Sequence, residues 1–456
     1  MPIMAKGKSS VGVEMEFLLC VATEGQELTV PECLESSKGR PLVLRMEYMS
    51  LMESQVRYHV GNAIEKAVAK HRGTRVIETA DEVESHQEAG HLKPYQDWRV
   101  KRDLSVHLET RQNDCHEIQR YYWDPVEVVS PAFWATEDTW TEIYNVVQAI
   151  RDEFWILTPR SAGLHFHLGH GKEYIPFRKL RRMAALIMAA DPILVQLHPK
   201  HRRENGFCFS NRLYSLVAHG YDTDEVADDI ERPEVEEEPE IPNATQKGTA
   251  ESVGTSVARP GIPFKRGELE GYVYNEEIFQ EKIMDLYRPE FPKPRDIPTM
   301  VREILKCPNA PTIAELTKTC RWSGDRPAYA FNHYALDKYR IILLHRDPEE
   351  QHKRTVELRQ FASTMVPEEI VAYGKIMVRL CEFADEATLD ELWRVVLDCT
   401  VGEEHGEWYD VFDLLQELGL GEEGKALVDS ITRFRAAPEG EEDDDSWNPS
   451  NSNGIE

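Results

Sequence analysis

GVEMEF at 12–17, GLHFHLG at 163–169 and TVELRQF at 355–361 decide how this chain is read. Each alternates as a β-strand does, and alternate residues of a strand share a face. Glu14 therefore stands with Glu16, His165 with His167, and Glu357 with Arg359. Val13, Met15, Phe17, Leu164, Phe166, Leu168, Val356 and Leu358 point the other way. Apolar residues flank the first stretch on both sides (GVEMEFLLC), so its strand reads as central. A central sheet face carrying carboxylates, imidazoles and a Glu/Arg pair is costly unless a cation or a charged substrate satisfies it. The chain reads as an enzyme.

Outward from these strands, helical periodicity is expected over 49–71, 137–157 (Thr136 as N-cap), from Pro176 in a first turn to about 190, over 275–287 and 297–306, and through most of 367–435. Asp191-Pro192 is expected to break or kink the third of these helices. Further strands are expected at TRVIET, over 95–107, at PVEVVSP (125–131) and at 327–334. Residues 222–260 are acidic, contain Pro, Gly and Ser, are poor in aromatics, and read as a disordered insertion within one domain spanning 1–436. Residues 437–456 read as a disordered acidic tail. The expected class is α+β: a curved, mainly antiparallel sheet with the site on its concave face and helices on the convex face.

The 456 residues carry a net charge of −28, much of it at 223–240 and 439–445. Such a surface disfavours nucleic acid and anionic membrane as partners. No run reaches membrane-span length, and MPIMAKGKSS lacks the apolar core of a signal peptide, so a cytoplasmic location and reduced thiols are expected. The eight cysteines form no CxxC pair. Cys208, in NGFCFSNR, reads as a nucleophile or as a small buried hydrophobe, the second being the commoner case. The sequon Asn243-Ala244-Thr245 carries little weight without secretion.

Glu14 and Glu16 suit a hard cation, since Mg²⁺ and Mn²⁺ take oxygen ligands. His165 and His167, between two glycines, tilt the site toward Mn²⁺. Arg359 can clamp a phosphoryl group bidentately, or simply pair with Glu357. Glu127 in VEVVS is a further carboxylate. Asp103 and Ser105 in RDLSVH read as substrate or nucleotide contacts, with plain surface polarity as the alternative.

In this order the motifs resemble the glutamine synthetase/glutamate–cysteine ligase superfamily, and within it the fungal-type amidoligase family. WRVKRDLSV (98–106), VEVVSP (126–131) and YAFNHYAL (329–336) are similar to that family's middle and late segments, and the resemblance spans roughly 11–365. It implies a glutamine synthetase-like fold and an ATP-dependent carboxylate–amine ligase. In such a ligase a small-molecule or peptide carboxylate is phosphorylated, and an amine or ammonia attacks the acyl phosphate. It further implies that Glu14, Glu16, Glu127, His165 and Glu357 hold Mg²⁺ or Mn²⁺. Arg359 would stabilise the transferring phosphoryl group, and His167 would lie near the substrate carboxylate. Asn332 joins Asp103 and Ser105 as a substrate or nucleotide contact. No P-loop is present, so phosphate binding would rest on metal and basic side chains.

Two other readings compete. A zinc amide hydrolase would use His165 and His167 with His333 and His345, which leaves Glu14, Glu16 and Arg359 without roles. A non-catalytic scaffold would use the acidic insertion and tail, and would have no need of the charged strands.

Overall fold

The computed structural model describes residues 8–31, 34, 39–72, 78–79, 96–108, 116–203, 208–228, 230, 248–249, 259–272, 274, 293–319, 326–335 and 353–436. The first of the three diagnostic segments lies in β1 (Ser10–Thr23), which runs through the middle of a ten-stranded sheet. The other strands are β2 (Leu42–Leu44), β3 (Glu78–Thr79), β4 (Arg99–Lys101), β5 (Tyr122–Val129), β6 (Phe133–Trp134), β7 (Ile156–Leu157), β8 (Gly163–Gly169), β9 (Tyr329–Ala330) and β10 (Val356–Ala362). The main path runs β3-β4-β5-β1-β8-β10-β9, with β2, β6 and β7 pairing with β1 off that path. Pairing is antiparallel except between β1 and β2 and between β3 and β4.

The apolar face of these strands is covered by helices α1 (Met52–Arg72), α2 (Glu137–Glu153), α3 (Phe177–Leu194) and α5 (Pro367–Glu386), while α4 (Ile297–Lys306) and α6 (Leu389–Glu404) pack against α3. Val13, Met15, Phe17, Leu164, Phe166, Leu168, Val356 and Leu358 share one core with Val60 and Ile64 of α1, Ile143 and Val147 of α2, Leu186 of α3 and Ile376 of α5. The alternation in the sequence has one physical cause: every second residue meets this helical layer. Helix α5 comes close at Gly374, where a Cβ would fall 2.6 Å from Trp140 and 3.0 Å from Phe166. Beyond the acidic positions the other face of β1 turns apolar again. Leu18, Cys20 and Ala22 pack with Val106, Ile118, Tyr121, Trp155 and Leu157 in a second, smaller core.

The structure moves several expected boundaries. Helix α2 stops at Glu153, because Phe154 is extended and Ile156–Leu157 joins β1 as β7. Thr136 is its N-cap in backbone terms, but its hydroxyl meets Thr139 Oγ1 and not a backbone N–H. Helix α3 runs through Asp191-Pro192 to Leu194. It is buried on nearly every side, and a proline in its last turns removes one hydrogen bond without overriding that packing. Among the described residues of 95–107 only Arg99–Lys101 is a strand; Asp103 starts a turn.

The start of the expected disordered insertion is ordered. Thr223–Asp228 is a short helix with Thr223, Val226 and Ala227 buried, because apolar side chains here still find the core. The expected helix at 275–287, the start of TRVIET, His345 and the tail lie outside the described residues. The five described cysteines are buried and form no disulfide. Among the described residues no helix is long and apolar enough to cross a membrane.

Candidate metal and phosphoryl site

The antiparallel register brings the three segments together. Glu14 lies opposite His165, Gly12 opposite His167, and His167 opposite Glu357. On the other side of β1, Glu16 lies opposite Glu127, which in turn lies opposite Lys101 of β4. Glu14, Glu16, His165 and His167 are buried; Glu127, Glu357 and Arg359 are half-buried.

One half of the site centres on Glu14, His167 and Glu357, whose ligand atoms all lie within 4.8 Å of one another. His167 Nε2 is 2.9 Å from Glu14 Oε1. That contact lacks hydrogen-bond alignment, and among the described residues Nε2 has no hydrogen-bond partner. His167 Nδ1 lies 3.2 Å from Thr355 Oγ1. With a cation bound, a proton on Nδ1 would leave the Nε2 lone pair toward the carboxylates, as a metal-binding imidazole requires. Burial acts to raise the Glu14 carboxyl, but His167 and Lys353, with Nζ 3.7 Å from Oε1, hold it well below the usual range. Burial acts the same way on Glu357, and Arg359, His167 and His165 outweigh it, holding it at about 2. Arg359 donates to Glu357 Oε1.

In the other half burial and neighbouring carboxylates outweigh the cations nearby, Lys101 and Arg359 among them. Burial, then Asp103 and Glu127, raise Glu16 to about 8, although the Gly163 N–H donates to its Oε2 at 2.6 Å. Burial and Glu14 raise Glu127 to about 7. Like charges directly opposite in a sheet repel, so this half favours a cation or a proton. His165 stands between the halves, its Nδ1 3.5 Å from Glu14, 3.7 Å from Glu16 and 3.8 Å from Glu357. Burial and Arg359 lower its pKa to about 4, so it is neutral near pH 7.

The resemblance gives His165 to the metal and His167 to the substrate. The geometry brings His167 into the group that converges with Glu14 and Glu357, and sets His165 beside three carboxylates. Asp103 faces Glu16 and Glu127 electrostatically while its Oδ1 accepts the Ser105 N–H at 2.8 Å. Ser105 is half-buried in that turn, and its carbonyl meets His107 Nδ1. Asn332 opens the turn after β9, two residues beyond Ala330, the register partner of Glu357; its side chain makes no hydrogen bond among the described residues. His333 is outside the converging group that the zinc reading needs it to join.

Sequence reasoning missed Lys353 and Thr355, although both share the parity of Glu357 and Arg359. It also missed Arg326, just before β9. Burial and Arg359 lower the pKa of Arg326, while Asp103, Glu16 and Glu357 pull the other way.

Fold and face together define a mixed α/β protein whose antiparallel sheet carries a carboxylate–imidazole site on one side. The chain is similar to the family described as "Putative amidoligase enzyme", whose model matches residues 8–232. That span holds Glu14, Glu16, Asp103, Ser105, Glu127, His165 and His167, and ends before Asn332, Glu357 and Arg359. No curated protein and no solved structure matches the chain.

Proposed function

We propose that the chain is an ATP-dependent carboxylate–amine ligase of the glutamine synthetase-like kind, dependent on Mg²⁺ or Mn²⁺. The observation that carries the reading is the convergence of His167 Nε2 and Glu14 Oε1 at 2.9 Å without a hydrogen bond, with Glu357 in the same group. Donor atoms so placed suit a shared divalent cation, and a carboxylate–imidazole set suits Mn²⁺ as well as Mg²⁺. Glu14, His167 and Glu357 would hold one ion, and Glu16 with Glu127 a further one. An ion so bound would neutralise the polyphosphate and spread the charge of the transferring phosphoryl group.

The chain's own residues supply the rest. A substrate carboxylate oxygen attacks the γ-phosphorus and ADP leaves, giving an acyl phosphate. The amine nitrogen then attacks the carbonyl carbon, inorganic phosphate leaves, and the nitrogen gives up a proton to form the amide. Arg359 donates to the phosphoryl oxygens as negative charge builds on them. With its pKa lowered to about 4, His165 is a weak base, so the amine proton would end on one of the three carboxylates around it.

The test is ADP release by the purified protein across a library of carboxylate and amine pairs with Mg²⁺ or Mn²⁺. Release that needs both substrates supports the ligase. Failure across the library, with no thermal shift on adding Mg·ATP, sinks it.

A further inference from the structure

Behind Arg359, on the helical side of β10, lies a polar cluster with no part in the chemistry above. The register of β10 against β8 shifts between Leu358 and Phe361. This bulge turns both Gln360 and Phe361 inward, where strict alternation would leave Phe361 on the site face. Gln360 is fully buried. Its Oε1 accepts from Tyr329 OH at 2.6 Å, and its Nε2 donates to Asp191 Oδ1 at 3.2 Å and to the Tyr272 oxygen. Asp191, fully buried in α3, also accepts from Tyr272 OH at 2.9 Å, Ser210 Oγ at 2.8 Å and Arg212 N–H at 3.0 Å.

The backbone beside it is held as firmly. Arg202 donates to the Arg359 carbonyl at 2.5 Å and to the Gln360 carbonyl at 3.3 Å, and the Arg359 N–H donates to Ala328 O at 2.7 Å. A leucine would fill the space behind a plain sheet strand at less desolvation cost. A buried polar network of this size is tolerated only when complete, and then it fixes one geometry. What it fixes here is the bulge next to Arg359, whose Nε is buried and has no hydrogen-bond partner among the described residues. Tyr272 follows the acidic insertion, so the chain returning from that segment supplies part of the anchor.

We propose that Gln360, anchored by Asp191 and Tyr272, is a positioning residue that sets the Arg359 guanidinium against Glu357. The positional claim stands on geometry, and only its nucleotide consequence rests on the ligase reading. The test uses the full chain and Gln360→Met, with Tyr272→Phe as the milder variant should the first fail to fold. In the crystal structure of the variant, Arg359 is expected to have left Glu357. Calorimetry should show Mg·AMP-PNP affinity down about tenfold while Mn²⁺ affinity stays within about twofold of wild type. Adding Gln360→Met to Arg359→Ala should cost nothing further. Arg359 still seated on Glu357 in the variant, or losses that add to those of Arg359→Ala, would overturn the proposal. Displaced Arg359 in the variant, with wild-type protein that binds Mn²⁺ but no Mg·AMP-PNP, upholds the positioning and overturns the ligase.

Discussion

A Cβ at Gly163 would fall 2.6 Å from His165 Nε2 and 3.4 Å from Glu16 Oε2. The glycine that starts β8 thus makes room for the imidazole two residues along, while its own N–H holds Glu16. Gly163→Ala is expected to cost about 1–3 kcal/mol of stability, since a packed site resists added volume. It should also weaken Mn²⁺ binding through the displaced side chains. Urea denaturation and Mn²⁺ titration followed by electron paramagnetic resonance measure the two, and no change in either would contradict the crowding.

Gly374 offers the matching control. Its missing Cβ lets α5 close on Trp140 and Phe166, far from the carboxylates. Gly374→Ala should destabilise by a similar amount, about 1–3 kcal/mol, and leave Mn²⁺ affinity as it was. Weaker Mn²⁺ binding in this variant would mean that general loosening, not local crowding, governs the site.

Glu14→Gln and Glu357→Gln keep shape and remove charge at the converging group. Each is expected to lower Mn²⁺ affinity by about 100-fold or more, above the effect typical of groups that only support a ligand, with the circular dichroism spectrum unchanged. An unaltered affinity in both would remove the metal from this place in the fold.

Metal-free protein should lose stability as pH rises from about 6.5 to 8. Glu16 and Glu127 titrate near 8 and 7 in the folded chain, against about 4.3 when unfolded. The folded state therefore holds protons that the unfolded state has released, and that contribution disappears as pH passes through the folded values. His165, lowered to about 4, acts in the opposite sense only below its unfolded value of about 6.5. Melting temperature across this window should fall in wild type and fall less in Glu16→Gln. Mn²⁺ binding near pH 7 should release protons, seen as a buffer-dependent heat. A melting temperature that rises through the window would contradict the assignment.

Much of the site was legible because alternation is local. The parity of Glu14 and Glu16, of His165 and His167, and of Glu357 and Arg359 follows from strand geometry alone, and the apolar partners of each marked the buried face. Lys353 and Thr355 were within reach of the same rule. The end of α2 at Glu153 and the passage of α3 through Pro192 were not, because packing outweighs propensity at both.

What the sequence determined by itself is which residues share a face in each strand. Only the tertiary structure decided which of them meet. Register across β1, β8 and β10 chose His167 to converge with Glu14 and Glu357, and set Glu16 against Glu127. The bulge in β10 broke the alternation just after Arg359, because Asp191 and Tyr272, distant in sequence, supply the partners that make a buried Gln360 stable. A strand's own residues carry its pleat. They carry no record of what lies behind it, and that is where the position of Arg359 is fixed.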